Sequence, residues 1–347
     1  MKIRLGTASA ALTLVLVVLV LGVVTTQSAQ AQTFTVLHNF TGPYDGADPW
    51  AGLVRDTAGN LYGTTGSGGS SGYGTVFKVD KTGTETVLYS FCSVAGCTDG
   101  AGPLAGVIMD TAGTLYGTAS GGGFYRDGVV FKVDTSGKER VLHHFHGVPD
   151  GGSPYAGLVR DAKGNFYGTT FQGGSSGGYG TVFKLSTKGK ETVLHRFTGG
   201  WGGANPSYAS LLMDKYGNFY GTTTNGGDLN CNSGQGCGVV YKMSKSGTLT
   251  VLHRFHGGVM DGAFPFAGVI MDATGNLYGD TEEGGASSLG TVYELNKKGT
   301  LTLLHSFAGS DGEYPIGGVI RDAKGNFYGT AYGGGSGGYG TVWQITK

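Results

Sequence analysis

The feature that most constrains this chain is a short motif, Asp-x-x-Gly-x-x-Tyr-Gly, that occurs six times in 347 residues. Successive copies lie 50 to 58 residues apart and keep the same order of apolar and glycine-rich segments around them. The copies begin at Asp56, Asp110, Asp161, Asp214, Asp272 and Asp322. A period of this length is typical of arrays in which each repeat is one supersecondary unit that packs on its neighbours. Function is therefore expected to belong to the array as a whole.

Each repeat divides into four short apolar runs separated by turn residues. In the third repeat the runs occupy residues 156–160, 165–170, 180–185 and 192–197. Lengths of five or six residues, β-branched and aromatic side chains, and glycine at the boundaries predict strands. Turns of the Asp-x-x-Gly type between consecutive runs predict antiparallel hairpins. The sequence thus predicts an all-β fold, a six-bladed β-propeller of four-stranded antiparallel blades, with a β-solenoid as the alternative.

The two ends of the array predict how the ring closes. Residues 35–40 have the sequence of a fourth strand, and residues 340–345 have that of a third strand. We expect the N-terminal strand to complete the last blade, because this arrangement removes two exposed sheet edges. The propeller is expected to span residues 32–347.

The N-terminus has the pattern of an export signal. Lys2 and Arg4 precede an apolar run over residues 10–24 and an Ala-x-Ala sequence that ends at Ala31. This order predicts a secretory signal peptide over residues 1–31 and a mature protein, extracellular or periplasmic in a bacterium, without a membrane span. An uncleaved anchor is the alternative, and the short apolar run disfavours it. We expect the mature protein to be a monomer.

The four cysteines form two local pairs, Cys92 with Cys97 and Cys231 with Cys237. In an exported chain, such pairs favour disulfides over metal ligands. The two disulfides are expected to stiffen the loops that carry them.

Composition excludes some classes of partner and leaves others without support. The formal net charge is zero, and no basic stripe is visible, so a nucleic-acid partner is not expected.

The Asp of each repeated motif is interpreted as a turn cap. A fourth-strand position holds histidine in five repeats and Tyr89 in another, which indicates packing with a polar tip. No metal and no cofactor are expected.

The loops that join one blade to the next predict a binding surface. Their sequence is Asp-Gly-x-x-Pro in five repeats, with Asp45, Asp99, Asp150, Asp261 and Asp311. The residues that follow the prolines include Trp50, Tyr155, Tyr208 and Phe266, with Leu104 and Ile316 at the two other positions. Aromatic planes beside carboxylate acceptors suit sugar recognition, and these residues are the candidate ligand-binding set. The alternative is that the side chains only plug the top of the channel.

Catalytic motifs are scarce, and the fifth repeat is the exception. It carries Asp280, Glu282 and Glu283 where the other repeats have threonine and neutral residues. Clustered carboxylates can hold a divalent cation or act as acid and base, so these three residues are the catalytic candidates. A solvated acidic loop is the alternative interpretation.

The order Val-Leu-His-x-Phe, Asp-Gly-x-x-Pro-x-Ala-Gly-Leu-Val-x-Asp, Gly-Asn-Leu-Tyr-Gly-Thr-Thr and Gly-Thr-Val-Phe-Lys-Leu closely resembles the GloVer (Gloeo/Verruco) tandem repeat of exported bacterial proteins. The resemblance to the GloVer repeat covers residues 33–347. More loosely, the Asp-x-x-Gly-Asn-Leu-Tyr hairpin of this chain is similar to the hairpin of NHL-type propeller repeats. It implies a propeller and export, and it assigns no catalytic residue.

Two functional hypotheses follow from the sequence. The first is a secreted, non-catalytic binding propeller whose ligand is a carbohydrate or another extracellular polymer. The second is a propeller lyase or glycan hydrolase that uses the acidic residues of the fifth repeat.

Overall fold

A computed structural model describes residues 35–206, 208 and 210–346. The predicted signal peptide, residues 1–31, lies outside the described residues. All elements below belong to one unit that covers residues 37–347. No helix in the described part of the chain is long and apolar enough to cross a membrane.

The strands form one main antiparallel sheet for each of the six repeats, with an additional two-stranded sheet in the fifth, and confirm the predicted six-bladed β-propeller. The first three blades are β1 (Val54–Arg55), β2 (Leu61–Thr65), β3 (Thr75–Val79), β4 (Glu85–Ser90); β5 (Ile108–Met109), β6 (Leu115–Ala119), β7 (Val129–Val133), β8 (Glu139–His144); and β9 (Val159–Arg160), β10 (Phe166–Thr170), β11 (Thr181–Leu185), β12 (Glu191–Arg196). In these three sheets the strands are hydrogen-bonded in sequence order, which is the meander that the hairpin turns predict.

The last three blades differ from this four-stranded pattern: the fourth and fifth have additional short strands, and the sixth has three strands among the described residues. The fourth has β13 (Ala204–Pro206), β14 (Leu212–Met213), β15 (Phe219–Asn225), β16 (Val239–Met243) and β17 (Leu249–Arg254). The fifth has β18 (Gly262–Ala263), β19 (Ile270–Met271), β20 (Leu277–Thr281), β21 (Glu283–Gly284), β22 (Thr291–Leu295) and β23 (Leu301–Ser306), with β18 and β21 paired as a separate ladder. The sixth has three strands, β24 (Val319–Arg321), β25 (Phe327–Ala331) and β26 (Thr341–Ile345).

The repeated aspartate shapes the hairpin between the first and second strands, as predicted. In the third blade, Asp161 Oδ1 accepts hydrogen bonds from the amides of Lys163 and Asn165 at 2.9 and 2.8 Å. Its Oδ2 accepts from the Tyr167 hydroxyl at 3.0 Å. Gly164 has φ of +83°, which favours glycine at this point of the turn. The same carboxylate to tyrosine bond occurs in all six repeats, at 3.0 to 3.3 Å.

Aromatic rings hold neighbouring blades together. A buried phenylalanine after the fourth strand of one blade contacts the third-strand aromatic of the next blade edge to face. The pairs are Phe91 with Phe131, Phe145 with Phe183, Phe197 with Tyr241, Phe255 with Tyr293 and Phe307 with Trp343, with centroids 4.8 to 6.0 Å apart. Phe40 contacts Phe77 in the same way, at 5.0 Å. Residues near Phe40 therefore lie against the first blade where the end of a preceding fourth strand is expected.

The ring closure is not confirmed. Among the described residues, β26 has no hydrogen-bonded neighbour on its outer edge. Val342 in β26 is 85% exposed, whereas its counterparts in the other five blades are fully buried. Leu53, on the first blade, is 51% exposed, although the equivalent residues of the other repeats are buried. Completion of the sixth blade by the N-terminal strand therefore stays a prediction.

The register of the complete blades makes this prediction specific. Thr75 pairs with Ser90 and Thr291 with Ser306, so the equivalent pair at the closure is Thr341 with Asn39. Directly opposite residues have Cβ atoms close enough for a disulfide. We expect cysteines placed at Asn39 and Thr341 to form an intramolecular disulfide under oxidising conditions, detected by mass spectrometry of the non-reduced peptides.

The matched control is a cysteine pair at Asn39 and Gln344, which lies out of register and is expected to stay reduced. A disulfide that joins two copies of the chain, or equal oxidation of both pairs, would contradict closure within one chain.

Candidate functional site

The residues that follow the crossover prolines converge on one cavity. Its volume is about 780 Å³, and all six repeats contribute to its wall. The lining residues are Trp50, Ala51, Gly52, Leu104, Ala105, Gly106, Tyr155, Gly157, Tyr208, Ser210, Phe266, Ala267, Ile316 and Gly317. None of these side chains is charged. We call this space the central cavity.

The aromatic residues are unevenly distributed around the central cavity. Tyr155 and Tyr208 stack on each other with centroids 4.8 Å apart and an angle of 18° between the rings. Phe171 contacts Tyr155 at 5.4 Å, and Phe266 lies 6.0 Å from Tyr208. Tyr155, Tyr208 and Phe266 form a continuous aromatic wall on blades three to five, and Phe171, which does not line the cavity, contacts this wall. Trp50 belongs to the first blade, and 70% of its surface is exposed.

The cavity between these rings helps to distinguish the two interpretations of the residues after the prolines, which are that they bind a ligand or that they only plug the channel. If the side chains only plugged the channel, they would fill it by contact with one another, as Tyr155 and Tyr208 do. Trp50 is left largely free, and the space beside it is large enough for a small ligand or a polymer segment. The role of Trp50, Tyr155, Tyr208 and Phe266 in binding stays a prediction.

The crossover aspartates do not line the central cavity; their carboxylates bond to their own loops. Asp150 Oδ1 accepts from the His146 amide at 2.9 Å, and Oδ2 contacts His143 Nε2 at 3.0 Å. Burial acts to raise the pKa of Asp150, but the hydrogen bonds from these two histidines hold it below its usual value. The contacts show a structural role in the loop, and a role in ligand binding stays a prediction for these residues.

The same pairing recurs between the crossover aspartate and the fourth-strand histidine. Besides His143 with Asp150, the pairs are His38 with Asp45, His253 with Asp261 and His305 with Asp311, at 2.8 to 3.4 Å. In the second repeat the Tyr89 hydroxyl donates to Asp99 Oδ2 at 2.7 Å. From the sequence, the fourth-strand position of these histidines and of Tyr89 was interpreted as a packing position with a polar tip. The signal for the pairing was the recurrence of this histidine and the crossover aspartate in four repeats; the fourth repeat has His195 but Gly202 at the position of the aspartate.

This natural exception gives a test of the pairing. Burial lowers the pKa of His195, which has no aspartate at position 202. A Cβ atom on Gly202 would meet nothing within 4 Å, so the position accepts a side chain. We expect Gly202→Asp to raise the pKa of His195 by about 1 unit or more, because a carboxylate favours the imidazolium form. NMR titration of the ring measures the change.

Gly202→Asn is the control, since it adds the same volume without the charge and is expected to leave the pKa of His195 nearly unchanged. Equal titration curves for both variants would show that the two positions do not pair.

Asp280 occupies a position between the fifth and sixth blades. In three other repeats the equivalent threonine hydroxyl, of Thr64, Thr118 or Thr222, donates to an alanine carbonyl of the next blade at 2.8 to 2.9 Å. Asp280 instead accepts from the Gly318 amide at 3.0 Å through Oδ2. Its Oδ1 has no hydrogen-bond partner among the described residues, and burial raises its pKa to about 7. Asp280 is completely buried and offers no surface to a substrate.

The buried carboxyl predicts a dependence of stability on pH. In the unfolded chain Asp280 loses its proton near pH 4, but in the folded protein it keeps the proton up to about pH 7. The free energy of unfolding should therefore fall by roughly 2–4 kcal/mol, relative to Asp280→Thr, as pH rises from 4 to 7, and then level off. Chemical denaturation of both proteins across this range measures the difference.

Threonine is the residue of the other five repeats at this position, so the variant is expected to fold. A difference in stability that does not vary between pH 4 and pH 8 would contradict the protonated, buried state of Asp280.

The two glutamates of the fifth repeat have different surroundings. Glu283 lies in β21, pairs with Ala263 and is exposed. Glu282 is half-buried, and burial together with the neighbouring charge of Glu283 raises its pKa. The catalytic assignment of Asp280, Glu282 and Glu283 stays a prediction.

The two predicted disulfides, Cys92–Cys97 and Cys231–Cys237, are present. The first lies in the crossover between blades one and two, and the second in the long loop between β15 and β16. Asp228 in that loop contacts His256 Nδ1 at 2.7 Å, which ties the loop to the next crossover. Within the described ranges, no group of three or more His, Cys, Asp or Glu residues is arranged to hold a metal ion.

Comparison with known proteins identifies a sequence family. The model of the Gloeobacter/Verrucomicrobia repeat matches residues 20–234 and 229–347, which together span most of the chain. No curated protein matches the sequence significantly.

Solved structures with similar folds have low sequence identity. A gluconolactonase from Xanthomonas campestris is 15% identical, with 87% of each chain covered and a TM-score of 0.45. A luciferin-regenerating enzyme is 14% identical, with 88% of this chain and 93% of that chain covered and a TM-score of 0.45. PorZ, a surface component of the type-IX secretion system of Porphyromonas gingivalis, is 14% identical, with 84% and 38% covered and a TM-score of 0.48.

Proposed function

We propose that this chain, which belongs to the Gloeobacter/Verrucomicrobia repeat family, is an exported binding protein whose central cavity holds a segment of carbohydrate or another extracellular polymer. The observation that carries the proposal is the convergence of one residue from each repeat on a single uncharged cavity with an aromatic wall. Two disulfides support export, since such bonds persist in oxidising compartments.

The chemistry of the wall supports a ligand with flat apolar faces. A pyranose ring presents C–H groups on its faces and hydroxyl groups at its edge, so it can stack on an aromatic plane while the hydroxyls stay hydrated. Trp50 presents such a plane, and Tyr208, which is 47% exposed, presents another across the cavity. Backbone groups of the glycine and alanine residues in the wall can approach a ligand closely.

Non-catalytic binding agrees with the placement of the acidic residues. Asp280 is buried away from solvent, and the crossover aspartates are engaged by loop amides and by histidine or tyrosine side chains. No carboxylate belongs to the cavity wall. A glycoside hydrolase ordinarily needs two carboxyl groups that face the same bond of its substrate.

Substitution of the exposed rings tests the proposal. We expect Trp50→Ala and Tyr208→Ala each to weaken binding of a neutral oligosaccharide about 5- to 150-fold, because each removes one stacking contact of about 1–3 kcal/mol. Calorimetric titration with cellohexaose, xylohexaose, mannohexaose and chitohexaose measures affinity, and thermal denaturation reports on the fold.

Tyr216→Ala is the matched control. Tyr216 is an exposed aromatic on the hairpin between β14 and β15 and does not line the central cavity, so this variant should bind as the wild type does. Unchanged affinity in both cavity variants would rule out the cavity as the binding site. Release of shorter saccharides by the wild type, detected by chromatography, would favour the hydrolase or lyase hypothesis.

A further inference from the structure

One set of equivalent residues, one from each repeat, lies just outside the wall of the central cavity. Five of these residues directly follow the second strand of their blade, and Thr224 is the equivalent residue within the longer β15; the set is Gly66, Ser120, Phe171, Thr224, Glu282 and Tyr332. In five blades the amide of this residue donates to the carbonyl two positions before the cavity-lining residue of the same blade, at 2.9 to 3.1 Å. In the fifth blade the bond runs from Glu282 to Phe264, and Phe266 lines the cavity.

Two repeats show where a side chain at this position lies. Phe171 contacts Tyr155 of its own blade and Tyr208 of the next blade, both in the cavity wall. A Cβ atom on Gly66 would lie 3.2 Å from Trp50 Cδ1 of its own blade and 2.8 Å from Leu104 Cδ2 of the next. The position therefore lies between the lining residues of two consecutive blades. By this equivalence Glu282 lies between Phe266 and Ile316.

Glu282 differs from Ser120 and Thr224, two other polar residues of this set, in having a free acceptor. The Ser120 hydroxyl donates to the Gly102 carbonyl at 2.9 Å, and the Thr224 hydroxyl donates to the Asn205 carbonyl at 3.0 Å. Only burial and the charge of Glu283 act on the carboxylate of Glu282 among the residues that the structure describes; no hydrogen bond reaches it, although the side chain is half-buried. A carboxylate in partly desolvated surroundings gains more from a bound donor than one in bulk water.

We propose that Glu282, which lies just outside the wall of the central cavity, selects the ligand, and that it favours neutral, hydroxyl-bearing sugar rings over acidic ones. The ring stacks at the aromatic end of the wall beside Phe266, and one of its hydroxyls donates to the Glu282 carboxylate next to Ile316, which has no ring of its own to stack. A uronic acid places a second carboxylate near Glu282, and no cationic side chain lines the cavity to offset the repulsion. This inference rests on the proposed function.

The experiment compares two variants and two classes of probe. Glu282→Gln keeps the shape and removes the charge; Glu283→Gln is the matched control, because Glu283 is exposed and adjacent. Affinities are measured by calorimetry for the neutral hexasaccharide that the wild type binds most tightly and for an oligogalacturonate of similar length. A charged hydrogen bond predicts about a 10-fold loss of affinity for the neutral probe in Glu282→Gln and none in Glu283→Gln. The ratio of the affinity for the neutral probe to the affinity for the oligogalacturonate should decrease in Glu282→Gln and stay unchanged in Glu283→Gln.

The outcomes separate this inference from the proposed function. If Trp50→Ala loses affinity while Glu282→Gln binds both probes as the wild type does, the cavity is the site and the role of Glu282 is wrong. Tighter binding of oligogalacturonate than of every neutral probe by the wild type also overturns it. If no probe binds, or if Trp50→Ala binds normally, the proposed function fails and the inference fails with it.

Discussion

The contact on which the rest of this structure depends is the edge-to-face pair between the phenylalanine that follows the fourth strand of one blade and the third-strand aromatic of the next blade. Five such pairs join the six blades, and most of their rings are completely buried. Each blade alone has too little apolar surface to be stable, so the blades depend on one another for their cores. Because the same pair fixes each blade against the next, equivalent residues of all repeats are brought to equivalent places around one axis.

This regularity turns sequence variation between repeats into variation around one cavity. The residue after the crossover proline is Trp50 in one blade, Leu104 in another and Tyr155 in a third, yet all line the same space. The residue after the second strand varies in the same way, from Gly66 to Phe171 to Glu282. A scaffold of this kind can change its ligand without changing its core, since neither position belongs to the inter-blade pairs.

Much of the fold could be predicted from the sequence, because the repeat defines strand lengths, hairpin turns and both disulfide pairs. The site was predictable in part. The position of Trp50 after a crossover proline indicates the binding surface, and the sequence shows a recurring histidine and aspartate, but the contact of Asp150 with His143 depends on the conformation of the loop. The burial of Asp280 was also hidden, because the sequence shows aspartate in place of threonine without showing that this position faces the next blade. Closure of the ring depends on residues at opposite ends of the chain, and it stays a prediction.

The measurement that tests the central claim most directly is a crystal structure of the protein with a bound neutral oligosaccharide. The account predicts electron density for at least one sugar ring inside the central cavity, stacked on Trp50 or Tyr208, with a hydroxyl within hydrogen-bond distance of Glu282. A saccharide bound on the outer strands or on the opposite face, with the cavity filled by water alone, would contradict it.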